Sequence, residues 1–362
     1  FLVTRNCSIM CSAESSSREL SYAEALYEAT RQEMARDDSV FVFGLGVDDA
    51  KGMYGTTSAL HDEFGAARNF DTPLSEDAMT GVAIGAALAG MRPIHVHQRM
   101  DFLLLCMNQL INIAAKTSYM FAGACKVPIV VRSIIGRSWG QGAQHSQALH
   151  SYFMHVPGIK VVAPTTPHDA KGCLIAAIRD DNPVIFMEHR MLYGNRGIVP
   201  EADYEVPFGH ARQLNEGSDI TIVGISHMVV ECLRAARVLK DIGISAEVID
   251  PVTLAPLDID AILASVQKTG HLLIVDTSWT MCGAGSEIIA RIVEEIGEQG
   301  IPKMKRMGYA PAPCPTTRPL EDIYYPNGQT IAEAAHQLLR SGKEWSAPET
   351  SSSEVLEFRG PF

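Results

Sequence analysis

The chain has 362 residues, 46% hydrophobic and 20% charged, which marks a globular protein long enough for two cores rather than one. Its 30 basic against 42 acidic residues leave a formal charge of −12, a balance that argues against a nucleic-acid or anionic-membrane surface. No uninterrupted apolar run reaches the length a bilayer needs; the most apolar window, Met79 to Met91, is rich in small residues and reads as a buried helix.

The N-terminal stretch FLVTRNCSIMCSAESSS is serine-rich with a single acid, so residues 1–19 read as a disordered arm or the remnant of an organelle-targeting peptide. Ser21 with Glu24 forms a capping box that opens the helix YAEALYEATRQEMARD. SVFVFG follows as a short apolar strand. After a Gly-rich loop come a helix in TTSALHDEF, a short strand in NFDTP, a helix opened by Glu76 and Asp77, and the strand RPIHVHQ. DFLLLCMNQLINIAAKTSYM reads as one long helix and KVPIVVRSII as a buried strand. The Gly-rich loop GRSWGQGAQ leads into a helix from about Ser146, and strand KVVAP, helix HDAKGCLIAAIRD and strand PVIFME close this half. Strands alternating with helices predict a parallel sheet covered on both faces.

Residues 194–216 carry Gly, Pro and charge without periodicity and mark a domain boundary, with the linker drawn at 201–216 between domains at 20–200 and 217–342. The alternation then restarts: DITIVGI, helix MVVECLRAARVLKDIG, SAEVIDP, helix LDIDAILASVQ, HLLIVDT and helix GSEIIARIVEEIG. A last helix, TIAEAAHQLLRSG, follows the loop PTTRPLEDIYYPNG, and residues 343–362 read as a tail outside the fold. The expected class is α/β, with two doubly wound domains, the second smaller.

Eight cysteines without a CxxC pair, several inside apolar runs, fit reduced thiols of an intracellular protein. There is no GxxxxGK[ST], no strand-borne GxGxxG, no HExxH and no GxSxG, which removes the usual phosphate-loop, dinucleotide, zinc-protease and serine-hydrolase readings. His95 and His97 share one face of a strand; with no third ligand nearby they read as hydrogen-bonded pocket or core histidines rather than a metal pair. Glu76 admits two readings: a cap at the positive end of a helix, or a proton-handling carboxylate at a dry interface.

Taken in order, RNFDTPLSEDAMTGVAIGAALAGMRPI, NQLINIAAKTSYM, KVPIVVR, GQGAQHSQ, AIRDDNPVIFME and PLEDIYYPN resemble one family, from about Ser21 to Leu339. It is the β subunit of the E1 component of thiamine-diphosphate-dependent 2-oxo acid dehydrogenases, of the pyruvate and branched-chain types. The resemblance implies a pyrimidine-binding N-terminal domain and a transketolase-type C-terminal domain. It implies oxidative decarboxylation of a 2-oxo acid with acyl transfer to a lipoyl-lysine of the E2 acyltransferase. Glu76 falls on the carboxylate that binds the aminopyrimidine of thiamine diphosphate and promotes removal of the thiazolium C2 proton; burial is expected there. His145 falls on the active-site histidine. Ile129, Ala177, Ile178, Asp180 and Asn182 match a potassium site built mainly from backbone carbonyls, although a helix end followed by a turn accounts for AIRDDNP equally well. Thiamine diphosphate enzymes carry a GDG…N segment that binds Mg2+ and the diphosphate, and this sequence has no GDG. A separate α subunit is therefore expected to bring it, in a heterotetramer of two α and two β subunits. The small residues Gly81, Gly85 and Ala89 permit close approach of a partner. The compartments that suit such a protein are the mitochondrial matrix, the plastid stroma or the bacterial cytoplasm.

Two positions depart from the family. Leu45 stands where an acid is usual, and HQRMDF places Arg99 or Met100 at an aromatic that packs on the pyrimidine, while Phe102 remains. Guanidinium and thioether groups both pack on rings, so Arg99, Met100 and Phe102 are the cofactor-binding candidates. Arg99 also suits an anionic substrate or the cofactor's diphosphate. These departures keep two alternatives open: a thiamine-dependent decarboxylase or acyloin synthase without a lipoyl partner, and a non-catalytic regulatory paralogue.

Overall fold

A computed structural model describes residues 18–136, 140–297, 300–340 and 345–348. Most of the N-terminal arm, three residues of the Gly-rich loop and most of the tail lie outside the described residues. The first domain opens with β1 (Glu19–Ser21) and α1 (Tyr22–Arg36), joined by the expected capping box: Ser21 Oγ accepts from Glu24 N at 3.2 Å and Glu24 Oε2 from Ser21 N at 2.7 Å. Then come β2 (Val40–Gly44), α2 (Leu60–Phe64), β3 (Asn69–Phe70), α3 (Glu76–Leu88) and β4 (Arg92–His97).

The long helix expected next is instead three pieces: a tight 3-10 segment Met100–Cys106, a wide π segment Asn108–Ala114, and α4 (Ala115–Met120). Buried residues explain the change of pitch. Met100, Leu103 and Cys106 recur every third position, whereas Cys106, Leu110 and Ala114 recur every fourth. Asp101 and Met100 are also tied across to a neighbouring loop, where Asp101 Oδ1 accepts from Gln147 Nε2 at 2.7 Å and Met100 Sδ from Leu149 N at 3.0 Å.

The domain continues through β5 (Val130–Ile135), α5 (His150–Met154), β6 (Lys160–Val162), α6 (Pro167–Arg179), β7 (Val184–His189) and β8 (Arg196–Ile198), the last pairing antiparallel with β1. The second domain contains β9 (Arg212–Asn215), β10 (Ile220–Gly224), α7 (Met228–Asp241), β11 (Ala246–Asp250), β12 (Thr253–Ala255) and α8 (Ile259–Thr269). It ends with β13 (His271–Trp279), α9 (Ala284–Ile296), β14 (Lys303–Tyr309), α10 (Arg318–Tyr324) and α11 (Gly328–Leu339). The larger sheet has the order β12-β6-β7-β5-β4-β2-β3 and the smaller β14-β13-β10-β11-β9. All pairings in them are parallel except β12 on β6 and β9 on β11. Alternation sends Phe41 and Phe43 to a core with α3, and Val40 and Val42 to one with α1 and α6. Both faces of the larger sheet are covered.

Tertiary contacts absorb both of the expected connectors. Within 201–216, Val206 is buried, Tyr204 Oη donates to His168 O at 2.8 Å, and Arg179 binds Asp203 and Glu205 at 2.6 and 2.9 Å. Arg212–Asn215 then becomes the edge of the second sheet. The start of the tail also belongs to the fold: Trp345 lies 5.0 Å from the His336 ring, and buried Ala347 donates its N–H to Glu333 Oε1 at 3.1 Å. β12 hydrogen-bonds to the first domain's sheet although three of the second sheet's five strands precede it in the chain.

Asp250, at the end of β11, is enclosed near this crossing, and burial raises its carboxyl to about 7. An acid whose pKa is higher folded than unfolded binds more protons in the native state. Its stabilising effect is present below about pH 4 and is lost as pH rises to about 7. Asp250→Asn, which keeps the acceptor for Val252 N, is expected to come close to the wild type near pH 4. At pH 8 it should exceed it by on the order of a few kcal/mol in urea titrations. A pH-independent difference would refute this.

Candidate functional site

Glu76 begins α3, and Ser75 supplies no side-chain cap, so the open N–H groups of the first turn lie beside it. Its carboxylate lines a cavity of about 310 Å³ at the carboxyl ends of β2 and β4, where open α/β sheets bind ligands. The opposite walls are His95, His97, Gln98 and Arg99 from β4 and its exit, Phe102 and Leu105 from the 3-10 segment, and Leu45 from the loop after β2. Glu76 is half-buried rather than dry in this chain, which leaves the cavity mouth open.

The cofactor-binding candidates separate. Arg99 and Phe102 line the cavity, whereas Met100 is fully buried in the core with its sulfur engaged by Leu149. The reason is local: tight coiling turns the side chain after Arg99 inward. Arg99 is 8% exposed; its Nη1 donates to Tyr54 Oη at 3.0 Å and to Gln98 O at 2.5 Å, with the guanidinium 5.9 Å from the Tyr54 ring centre. His145 is exposed on its loop and meets Phe102 edge-on at 5.4 Å.

That loop is held from three sides. Gly140, at φ +64°, lies so close to the Thr316 carbonyl that any Cβ would collide with it. Gln141 Oε1 accepts from Arg190, and Gln147 is tied to Asp101. Further on, His150 Nε2 meets Asp276 Oδ1 at 3.1 Å and Ser278 Oγ donates to Ala148 O at 2.7 Å. Thr316, Asp276 and Ser278 belong to the second domain, so the second domain sets where His145 stands. No local pattern in the sequence points to them.

His95 and His97 form part of the cavity wall, and the period-two alternation of their strand was the available signal. His97 Nε2 and Thr80 Oγ1 lie 3.3 and 3.4 Å from His95 Nδ1, and the Phe43 ring stacks on His95 at 4.5 Å. Burial holds His95 well below an ordinary histidine and His97 at about 4, so both are neutral near pH 7. They give the wall hydrogen-bonding edges without charge.

The five potassium candidates cluster elsewhere, at the end of α6 and the start of β5. Ile178 O and Asp180 O each accept from Arg92 Nη1 at 3.0 Å, Ile129 O accepts from Val184 N at 2.9 Å, and Ala177 O from Asp180 N at 3.3 Å. Asp180 Oδ1 accepts from both Asn182 N and Nδ2. A potassium ion would share these carbonyls with the Arg92 guanidinium.

Residues 18–196 match the transketolase pyrimidine-binding domain and 209–331 the transketolase C-terminal domain. A Cupriavidus necator protein named acetoin:2,6-dichlorophenolindophenol oxidoreductase subunit beta is 43% identical over 336 residues, spanning 90% of this chain and 99% of that one. The pyruvate dehydrogenase E1 component subunit beta of Rickettsia felis is 41% identical over 320 residues, spanning 88% and 98%. This chain belongs to the E1 β family of the 2-oxo acid dehydrogenases. E1 β relatives also include a mitochondrial protein of Caenorhabditis elegans, 41% identical. A solved split-gene transketolase, described as an inactive beta4 tetramer, shares the fold with a TM-score of 0.73 and 21% identity, covering 88% of this chain and 98% of its own. Among the described residues, no helix is long and apolar enough to cross a membrane.

The E1 β family depends on thiamine diphosphate, and the cavity fits one half of that cofactor. A carboxylate facing the aromatic Phe102, with Met79 and Leu105 as apolar walls, suits a flat ring with polar edges. Among the described residues no three His, Cys, Asp or Glu side chains gather to hold a metal.

Proposed function

We propose that this chain is the pyrimidine-binding half of an E1 heterotetramer that decarboxylates a 2-oxo acid oxidatively and passes the acyl group to a lipoyl-lysine of E2. The observation that carries it is Glu76 at the open start of α3, facing Phe102 across the cavity with His145 beyond. Thiamine diphosphate supplies the electron sink for carbon–carbon cleavage. Glu76 shares a proton with the pyrimidine ring and fixes its orientation, and Phe102 packs on its face. His145, exposed on its loop, donates to charge that develops during acyl transfer.

The α subunit closes the mouth and brings Mg2+. Its docking face in this reading is apolar: Val82 and Leu88 of α3 are 55% and 49% exposed, Tyr119 and Phe121 are 90% and 56% exposed, and a Cβ on Gly85 would meet nothing within 4 Å. Potassium at the end of α6 is a further part of the reading, as is residence in the mitochondrial matrix or plastid stroma of a eukaryote, or the cytoplasm of a bacterium.

The test is reconstitution with an E1 α subunit, thiamine diphosphate and Mg2+, followed by decarboxylation assays over a panel of 2-oxo acids. Turnover with an artificial electron acceptor and acylation of an added lipoyl domain are expected; a complex that binds cofactor yet decarboxylates none of the acids would overturn the reading. Arg99 in place of the ring-packing aromatic favours one second reading, an acyloin-forming synthase. Release of acyloin without any lipoyl domain would establish it.

A further inference from the structure

The guanidinium of Arg99 donates only to neutral groups. It is 8% exposed, its Nη1 donates to a phenol and a backbone carbonyl, and its buried Nε has no acceptor. Among the described residues no carboxylate forms an ion pair with it. Among the described residues Glu76 is the sole acid on the cavity wall and is not paired with it, while His95 and His97 are neutral and Gln98 donates its amide to Leu45 O at 3.1 Å. A second cation reinforces the field: burial, and then Arg99 itself, bring Arg190 down to about 10. Removing a guanidinium from water without a counter-charge costs several kcal/mol, so this end of the cavity is built to receive an anion.

Three anions meet the reaction. The reacting carboxylate loses its charge as carbon dioxide leaves, so a cation on it would stabilise the ground state more than the transition state and slow the step. The cofactor's diphosphate is at the other end of that molecule from the aminopyrimidine, whereas Arg99 and Glu76 line one cavity of about 310 Å³. The remaining anion is one that persists through the chemistry.

Resting on the E1 reading above, we propose that Arg99 is a specificity residue that binds a second anionic group, a carboxylate or phosphate, on the substrate's side chain. The preferred substrates are then 2-oxo acids with an acidic tail. Tyr54 positions the guanidinium by accepting from Nη1.

The test uses the assembled αβ complex before and after loading with thiamine diphosphate. In the unloaded complex, calorimetry measures binding of glutarate, butyrate and inorganic diphosphate to the wild type, Arg99→Met and Arg99→Lys. Glutarate is expected to bind at least tenfold more tightly than butyrate to the wild type, a charge-assisted hydrogen bond's worth of preference. Arg99→Met should abolish the preference and Arg99→Lys should restore part of it. Thiamine diphosphate affinity should stay within about threefold in both variants, which also shows that they fold. In the loaded complex, kcat/KM for 2-oxoglutarate over 2-oxobutyrate should fall at least tenfold in Arg99→Met. Equal binding of glutarate and butyrate by the wild type would overturn the proposal. So would a loss of inorganic diphosphate and cofactor binding in Arg99→Met with the dicarboxylate preference intact, which would place Arg99 on the cofactor. Because the calorimetric comparison needs no turnover, it stays decisive even if the complex decarboxylates nothing, the result that would sink the E1 reading alone.

Discussion

Glu76→Gln, in the reconstituted complex, is expected to bind thiamine diphosphate and lose decarboxylation by at least about 100-fold, the usual worth of a positioned acid–base group. The amide is isosteric, keeps an oxygen at the start of α3 and still hydrogen-bonds a ring nitrogen, but it cannot exchange a proton with it. The lost negative charge at the helix N-terminus accounts for only about 0.3–1 kcal/mol of stability, so the fold should survive. Asp77→Asn is the control: Asp77 is exposed, shares the helix start and does not line the cavity, so activity within about twofold of wild type is expected. Steady-state decarboxylation with calorimetric cofactor binding checks both. Equal losses in the two variants would mean that helix-end charge, not proton exchange, is what Glu76 supplies.

The second large effect concerns the sheet below the site. Arg132 on β5 is fully buried and forks onto Glu188 of β7, with Nε at 2.5 Å from Oε1 and Nη2 at 2.9 Å from Oε2, while Tyr193 Oη donates to Oε2 at 3.0 Å. Removing one partner strands the other charge in the interior. Arg132→Met is therefore expected to destabilise the first domain by about 3–5 kcal/mol. Arg132→Met with Glu188→Leu should recover most of that loss, since a buried ion pair replaced by apolar side chains of similar volume is often neutral. Urea titrations read on the first domain's transition would show this; a double variant as unstable as the single one would mean that the pair adds stability in its own right. The pair also spans β5 and β7, next to the β4 strand that carries His95, His97 and the approach to Arg99.

Much of the first domain follows from short-range rules. The capping box at Ser21 and the strand-helix alternation need only neighbouring residues to be legible. The period-two face that pairs His95 with His97 is equally local. The ordered motifs carried Glu76, His145 and Phe102 to one family, and the geometry brings these three residues together around the cavity and its rim. Met100 and Arg99, adjacent in sequence, were indistinguishable until the chain after β4 coiled tightly and turned one into the core and the other toward the cavity. A run as apolar as DFLLLCMNQLINIAAKTSYM carries no sign of where its pitch will change, because the pitch follows buried neighbours on other elements.

What the sequence determined by itself was what hydrogen bonding and side-chain period fix within about a dozen residues: most of the elements, their strand–helix alternation and the carboxylate at the start of a small-residue helix. The tertiary structure alone decided which residues share the site. Thr316, Asp276 and Ser278 hold the His145 loop from another domain, β12 crosses to the first sheet, and Arg99 is enclosed without a counter-charge. Each depends on contacts between segments far apart in the chain, where packing and desolvation, not local propensity, set the free energy.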